Sequence, residues 1–200
     1  MNRSTTLTLA FLLGLAAAST PCAHAQTETP GPAISEPDRP FTEFTHGVWT
    51  VQTYGGYLNE LGPHDQEGGF GAFGASYYFR DNMSLGAELV GYGFSQPGPD
   101  AIAVGPQFVF RHHLINTRDT SFFLDLTAGF AQANERVPEE GTRFNFIEQF
   151  GMGLTRDVGG RAHLLIGVRY YHLSNAGIEG QERNPSNNGI VAYLGLLFTR

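Results

Sequence analysis

The sequence predicts an all-β chain closed into an eight-stranded antiparallel transmembrane β-barrel. Three observations carry that expectation. The N-terminus has the make-up of an export signal, and no later stretch is apolar for long enough to cross a bilayer as a helix. Eight short segments rich in Gly, Phe and Tyr then follow one another, joined by connections that alternate between short and long.

The N-terminal reading comes first. Met1, Asn2 and Arg3 make a short positive start, Leu7 to Ala18 is an apolar run, and Ala23-His24-Ala25 has the small-x-small pattern of a signal-peptidase site. Residues 1–25 are therefore expected to be a signal peptide cleaved after Ala25. Cys22 lies inside it, preceded by Ser19-Thr20-Pro21, which lacks the apolar and small residues of a lipoprotein signal. Cleavage removes that cysteine, so no disulfide or thiol chemistry is expected. The remainder carries 11 Arg against 19 acids, a net charge of −8, and no lysine. Without a basic cluster, nucleic acid is excluded as a partner.

Residues 26–45 are rich in Pro and Glu and predict a flexible periplasmic leader, with the barrel occupying 46–200. Strands are expected at 47–58, 68–80, 82–95, 101–115, 119–133, 143–156, 161–174 and 189–198, each rich in β-formers and ending in turn residues. The connections Arg80-Asp81-Asn82, Asn116-Thr117-Arg118 and Asp157-Val158-Gly159-Gly160 are short. Those at 58–67, 96–100, 134–142 and 175–188 are mostly longer and more polar. Outer-membrane barrels show this alternation, with tight periplasmic turns and longer external loops. Trp49, Tyr77, Tyr78, Phe79, Tyr170 and Tyr171 are expected to form aromatic girdles. A soluble barrel would instead place its apolar face inward. Eight strands leave a lumen filled by side chains, which excludes a porin.

The chemistry concentrates in the seventh strand. Side chains alternate along a strand, so one face collects Leu164, Ile166, Val168, Tyr170, His172 and Ser174, and the other His163, Leu165, Gly167, Arg169, Tyr171 and Leu173. The first face carries no permanent charge and predicts the lipid side, with Arg169 in the lumen. His172 and Ser174 then point outward at the external rim. An imidazole two residues from a hydroxyl on one face can serve as base and nucleophile against an ester. Asn175 and the Gly177 N–H, just beyond, are candidate donors to the oxyanion. The same residues also suit a polar headgroup zone.

The stretch Tyr171-His172-Leu173-Ser174-Asn175-Ala176-Gly177, with Asn184-Pro185, Gly189-Ile190 and a final apolar strand, resembles the lipid A 3-O-deacylase (PagL) family of acyloxyacyl-hydrolase-like barrels. Thr142 to Phe146 and Gly151 to Leu154 are also similar, and the likeness is best over 140–198. The resemblance implies an outer-membrane esterase that removes the 3-O-linked acyl chain of lipid A, with lipopolysaccharide as its partner and a membrane-facing site. It makes His172 the general base, Ser174 the nucleophile, and Asn175 and Gly177 the oxyanion-stabilising positions. It implies no metal and no cofactor, and leaves open whether the chain forms a homodimer.

One departure stands out. The family carries a glutamate shortly after the Gly-Ile step to orient the histidine, and the corresponding position here is Val191, or a neighbour if the loop is aligned one residue differently, with no acid after Ile190. A base and nucleophile without that group lose what fixes the tautomer and stabilises imidazolium. Glu148, Glu179 and Glu182 are the candidate substitutes. Glu148 shares its parity with Phe144, Phe146, Phe150 and Met152, which directs it outward if those face lipid. The expectation is nonetheless an interior Glu148, because charge rarely faces hydrocarbon. Glu179 and Glu182 are expected to be solvated loop charges. The rival to an esterase is a non-catalytic lipid-binding or structural barrel that has lost its acid. His112-His113 has no ligand cluster around it, and Arg136, Arg143 and Arg183 suit solvent or lipid phosphates.

Overall fold

The computed structural model describes residues 43–200; the expected signal peptide and residues 26–42 of the expected leader lie outside them. Eight strands, β1 (Trp49–Glu60), β2 (Glu67–Arg80), β3 (Met83–Ser95), β4 (Ala101–Asn116), β5 (Thr120–Val137), β6 (Thr142–Gly159), β7 (Ala162–Ser174) and β8 (Asn187–Thr199), follow in sequence order. Each pairs antiparallel with its neighbours, and β8 pairs with β1 to close the barrel. No helix among the described residues is long and apolar enough to cross a membrane. The helical content among them is one 3-10 turn at Gln181–Arg183.

The short connections are 81–82, 117–119 and 160–161, and the long ones gather at the opposite end. β5 and β6 run further than their sequence suggests. Residues 134–137, read as loop, extend β5, so that its link to β6 shrinks to 138–141. Their alternation continues there, with Ala133 and Val137 buried.

Phe73, Leu89, Ile102, Phe108, Phe150 and Leu194 stand on the outer wall and are exposed. This apolar band is the lipid face of a barrel in which every strand pairs with a neighbour on both sides. Trp49 and Tyr77 pack with tilted rings at the rim, their centroids 5.1 Å apart. Tyr78 and Tyr171, expected in the girdles, instead point inward and are buried. Of two adjacent tyrosines only one can face lipid, because the pleat turns its neighbour inward.

The lumen is packed in tiers. Leu58, Phe70, Val90, Phe94, Ile147 and Leu173 belong to an apolar cluster towards the long-loop end. Below it Arg169 donates to both carboxylate oxygens of Asp125, at 2.7 and 3.2 Å, and Arg111 donates to the same carboxylate at 3.2 Å. Glu88 accepts from Tyr54, Gln107 and Gln52. At the other end Phe44 stacks on His113 at 3.9 Å and packs with Tyr78 and Leu197. Glu43 reaches His163 at 2.5 Å. Residues 43–45, expected in the flexible leader, therefore form the barrel's floor. Their fixing comes from burial of Phe44, which outweighs the polar character of the segment around it.

Such a narrow lumen needs glycine where large side chains cross it. A Cβ on Gly167 would lie 2.3 Å from the Tyr193 ring and hydroxyl. Gly167→Val is expected to cost about 1–3 kcal/mol by overpacking and to pull the Tyr193 hydroxyl from Asp125, 3.2 Å away. The check is the temperature at which the unboiled, detergent-solubilised protein loses its folded mobility on a gel. An unchanged transition would mean that the ring is free to move aside.

Candidate functional site

β7, the loop after it and β8 build the site. On β7 the outward residues are Leu164, Ile166, Val168, Tyr170, His172 and Ser174, whereas Arg169, Tyr171 and Leu173 are buried inside. His172 and Ser174 thus share the outer face at the long-loop end of the barrel. They are half-buried, and no hydrogen bond joins them to each other. Apo enzymes often hold a base and nucleophile this loosely until substrate arrives.

The partner of the imidazole comes from β8. Register places Asn188 directly opposite His172, and its Oδ1 lies 2.7 Å from His172 Nδ1. A carboxamide oxygen only accepts, so Nδ1 carries the proton and Nε2 keeps the lone pair a base requires. The Tyr170 hydroxyl donates to the same oxygen at 2.7 Å. The backbone of Asn188 is fixed as well, its carbonyl accepting from the Leu61 N–H at 2.8 Å. Next door, the buried Asn187 accepts from Tyr171 and donates to Gln66. With Asn187 anchored inward, alternation holds Asn188 outward.

Val191, assigned to the orienting position from the sequence, points into the lumen opposite Arg169 and is 2% exposed. It cannot reach His172. β8 begins at Asn187, two residues earlier than expected, so that Asn188 already lies on the strand. Val191 and Asn188 are an odd number of residues apart and face opposite ways. Asn188 and Tyr170 were not singled out as site residues in the sequence.

Glu148 lies on the outer face of β6, exposed, and directly opposite His172 in the β6–β7 register. The interior placement expected for it is wrong. Phe144, Phe146, Phe150 and Met152 do face outward, and the same pleat carries Glu148 with them. It makes no hydrogen bond or ion pair among the described residues. Glu179 and Glu182 are exposed in the loop, with the Glu182 carboxylate lying over Gly180. No hydrogen bond or ion pair joins either of them to His172.

The loop turns sharply after Ser174. Ala176 and Gly177 take φ of 53° and 74°, a left-handed pair that costs about 1–2 kcal/mol at the alanine and little at the glycine. Buried Asn175 braces the turn: its Oδ1 accepts the Gly177 N–H at 2.7 Å, and its Nδ2 donates to the Arg183 carbonyl at 2.8 Å. Asn184 accepts the Asn175 N–H. Both expected oxyanion donors are thus engaged inside the loop, and a reacting carbonyl would have to take the place of these partners. No group of three or more His, Cys, Asp or Glu side chains suited to a metal occurs among the described residues. Beside Ser174, Phe146 occupies the opposed position on β6 and packs against Phe144 at 5.2 Å, which in turn meets Phe130 at 5.6 Å.

The barrel belongs to a recognised class. Neisserial surface protein A is similar in structure, with a TM-score of 0.58, 12% identity, and coverage of 76% of this chain and 96% of that one. The outer membrane protein OprG from Pseudomonas aeruginosa matches with a TM-score of 0.51, 8% identity, and coverage of 80% and 98%. These likenesses define an outer-membrane β-barrel fold. The outer membrane enzyme PagL matches at a TM-score of 0.45 and 21% identity, covering 76% of this chain and 97% of that one. No curated protein matches the chain. The lipid A 3-O-deacylase (PagL) family model matches residues 92–196. The chain belongs to that family, and it resides in the outer membrane.

Proposed function

We propose that this chain hydrolyses the ester holding the 3-O-linked acyl chain of lipid A, with Ser174 as nucleophile and His172 as base. The observation that carries the reading is an outward imidazole whose Nδ1–H donates to Asn188, with a hydroxyl two residues further along the same lipid face. Ser174 Oγ attacks the ester carbonyl while Nε2 takes its proton. Collapse of the tetrahedral intermediate returns that proton to the departing sugar hydroxyl and leaves an acyl-serine. Water, deprotonated by the same nitrogen, then releases the fatty acid and restores Ser174.

Location supports the substrate class. The pair lies on the outer wall at the long-loop end, where the ester region of an outer-leaflet glycolipid sits, and Phe130, Phe144 and Phe146 offer an apolar track for the acyl chain. Gly177 N–H is proposed to turn from Asn175 to the oxyanion as the ester enters, with Asn175 as the second donor. A specific observation favours a second reading, a lipid-binding barrel without catalysis: a carboxamide stands where imidazolium would gain most from a carboxylate.

Mass spectrometry of lipid A separates the two. Bacteria whose lipid A carries a 3-O-acyl chain are expected to lose one ester-linked acyl group on expressing the wild-type protein and to keep it on expressing Ser174→Ala at equal abundance. Identical spectra from the two would leave only the non-catalytic barrel.

A further inference from the structure

We propose that two side chains flanking His172 on neighbouring strands share the work of a single catalytic carboxylate. Asn188 on β8, held by Tyr170, positions the ring, and Glu148 on β6 supplies the counter-charge to the imidazolium. The proposal rests on the deacylase reading and deepens it.

A histidine base has two needs. Its tautomer must be fixed with the lone pair on Nε2, and the cation formed when it takes the nucleophile's proton must be stabilised. Asn188 meets the first. Its Oδ1 accepts from Nδ1 at 2.7 Å, and a second donor, the Tyr170 hydroxyl at 2.7 Å, converges on the same oxygen and limits its rotation. A neutral amide meets the second need poorly, because it carries no net charge.

Glu148 lies on the strand at the other flank of His172. It is opposed to His172 in the β6–β7 register, on the same outer face, and ends in a carboxylate with no ion pair or hydrogen bond among the described residues. Directly opposed residues hold their Cβ atoms about 5 Å apart. A lone carboxylate on the wall of a membrane barrel is costly unless a cation or polar partner meets it. The imidazolium of the transition state is such a cation, formed only during the reaction. An interaction made in the transition state and absent from the ground state raises kcat and leaves KM alone.

The experiment uses the full-length protein in detergent with purified lipid A, against Ser174→Ala as the blank. Asn188→Ala is expected to lower kcat about 100-fold, and Tyr170→Phe about threefold to tenfold. Glu148→Gln, which keeps shape and removes charge, is expected to lower kcat about tenfold with KM unchanged, the order of effect of one unit charge on a directly opposed residue. The decisive variant is Glu148→Gln with Asn188→Asp, where charge removed on one side returns on the other. It is expected to recover to within about threefold of wild type. Nitrogen-15 NMR of His172 reads the positioning without turnover: Nδ1–H in wild type and Glu148→Gln, and loss of that preference in Asn188→Ala.

Unchanged kcat in Glu148→Gln, or no recovery in the double variant, overturns the counter-charge. An unchanged tautomer in Asn188→Ala overturns the positioning. A wild type no faster than Ser174→Ala sinks the deacylase reading itself and the counter-charge with it, and the NMR result still decides what Asn188 does.

Discussion

His172→Ala, Ser174→Ala and the double variant are expected to show the same loss of lipid A deacylation, at least about 10⁴-fold each, with the second substitution adding almost nothing to the first. The reason is the unity of the step. Ser174 without a base is an ordinary alcohol whose proton has nowhere to go, and His172 without the hydroxyl has no nucleophile to activate. Each removal disables the same proton transfer, so the free-energy losses cannot add. Among the described residues Glu179 and Glu182 have no bond to this ring, and Glu148 is opposed to His172 rather than to Ser174. Initial rates on detergent-dispersed lipid A, with folded protein quantified by gel mobility, supply the measurement. Losses that multiply would mean that the two side chains act independently. A His172→Ala rate within tenfold of wild type would remove the imidazole from the base role.

The parts that were legible in the sequence are those governed by local periodicity. The outward face of β7, from Leu164 to Ser174, follows from alternation alone, and so does the inward direction of Arg169. The strand count and the alternation of connections follow from turn residues and hydrophobic runs. Cross-strand placement was less accessible. Whether Asn188 or Val191 meets His172 depends on where β8 begins after a long loop whose length gives no register. Glu148 failed for another reason. A general expectation about charge in lipid was set above the local pattern of Phe144, Phe146, Phe150 and Met152, and the pleat prevailed. Phe44 shows the limit of composition: one buried ring folds the end of a segment that reads as disordered.

Arg169→Met is expected to destabilise the barrel by about 3–5 kcal/mol, the cost of leaving a buried carboxylate short of its partner. Arg169 is 1% exposed and holds Asp125 through two hydrogen bonds, with Tyr54 and Gln149 bound to its remaining face and the Tyr193 ring 4.5 Å from its guanidinium carbon. The lumen balances its charge here: Arg111 and Arg169 face Asp125 and Glu88, all buried. Removing one cation leaves Arg111, already bound to Gln52, as the only guanidinium on Asp125 among the described residues. Charge imbalance is the larger part of the expected cost, so Arg169→Met combined with Asp125→Leu should recover more than half of the lost stability, even though it removes a second polar group. The gel-mobility transition measured against temperature tests both variants. A double variant weaker than the single would show that hydrogen bonds, and not balance of charge, hold this tier together. Because Arg169 lies on the inward face of β7 and His172 on the outward one, the folded fraction of either variant should retain the wild-type rate per molecule. The network would then support the strand that presents the site without taking part in its chemistry.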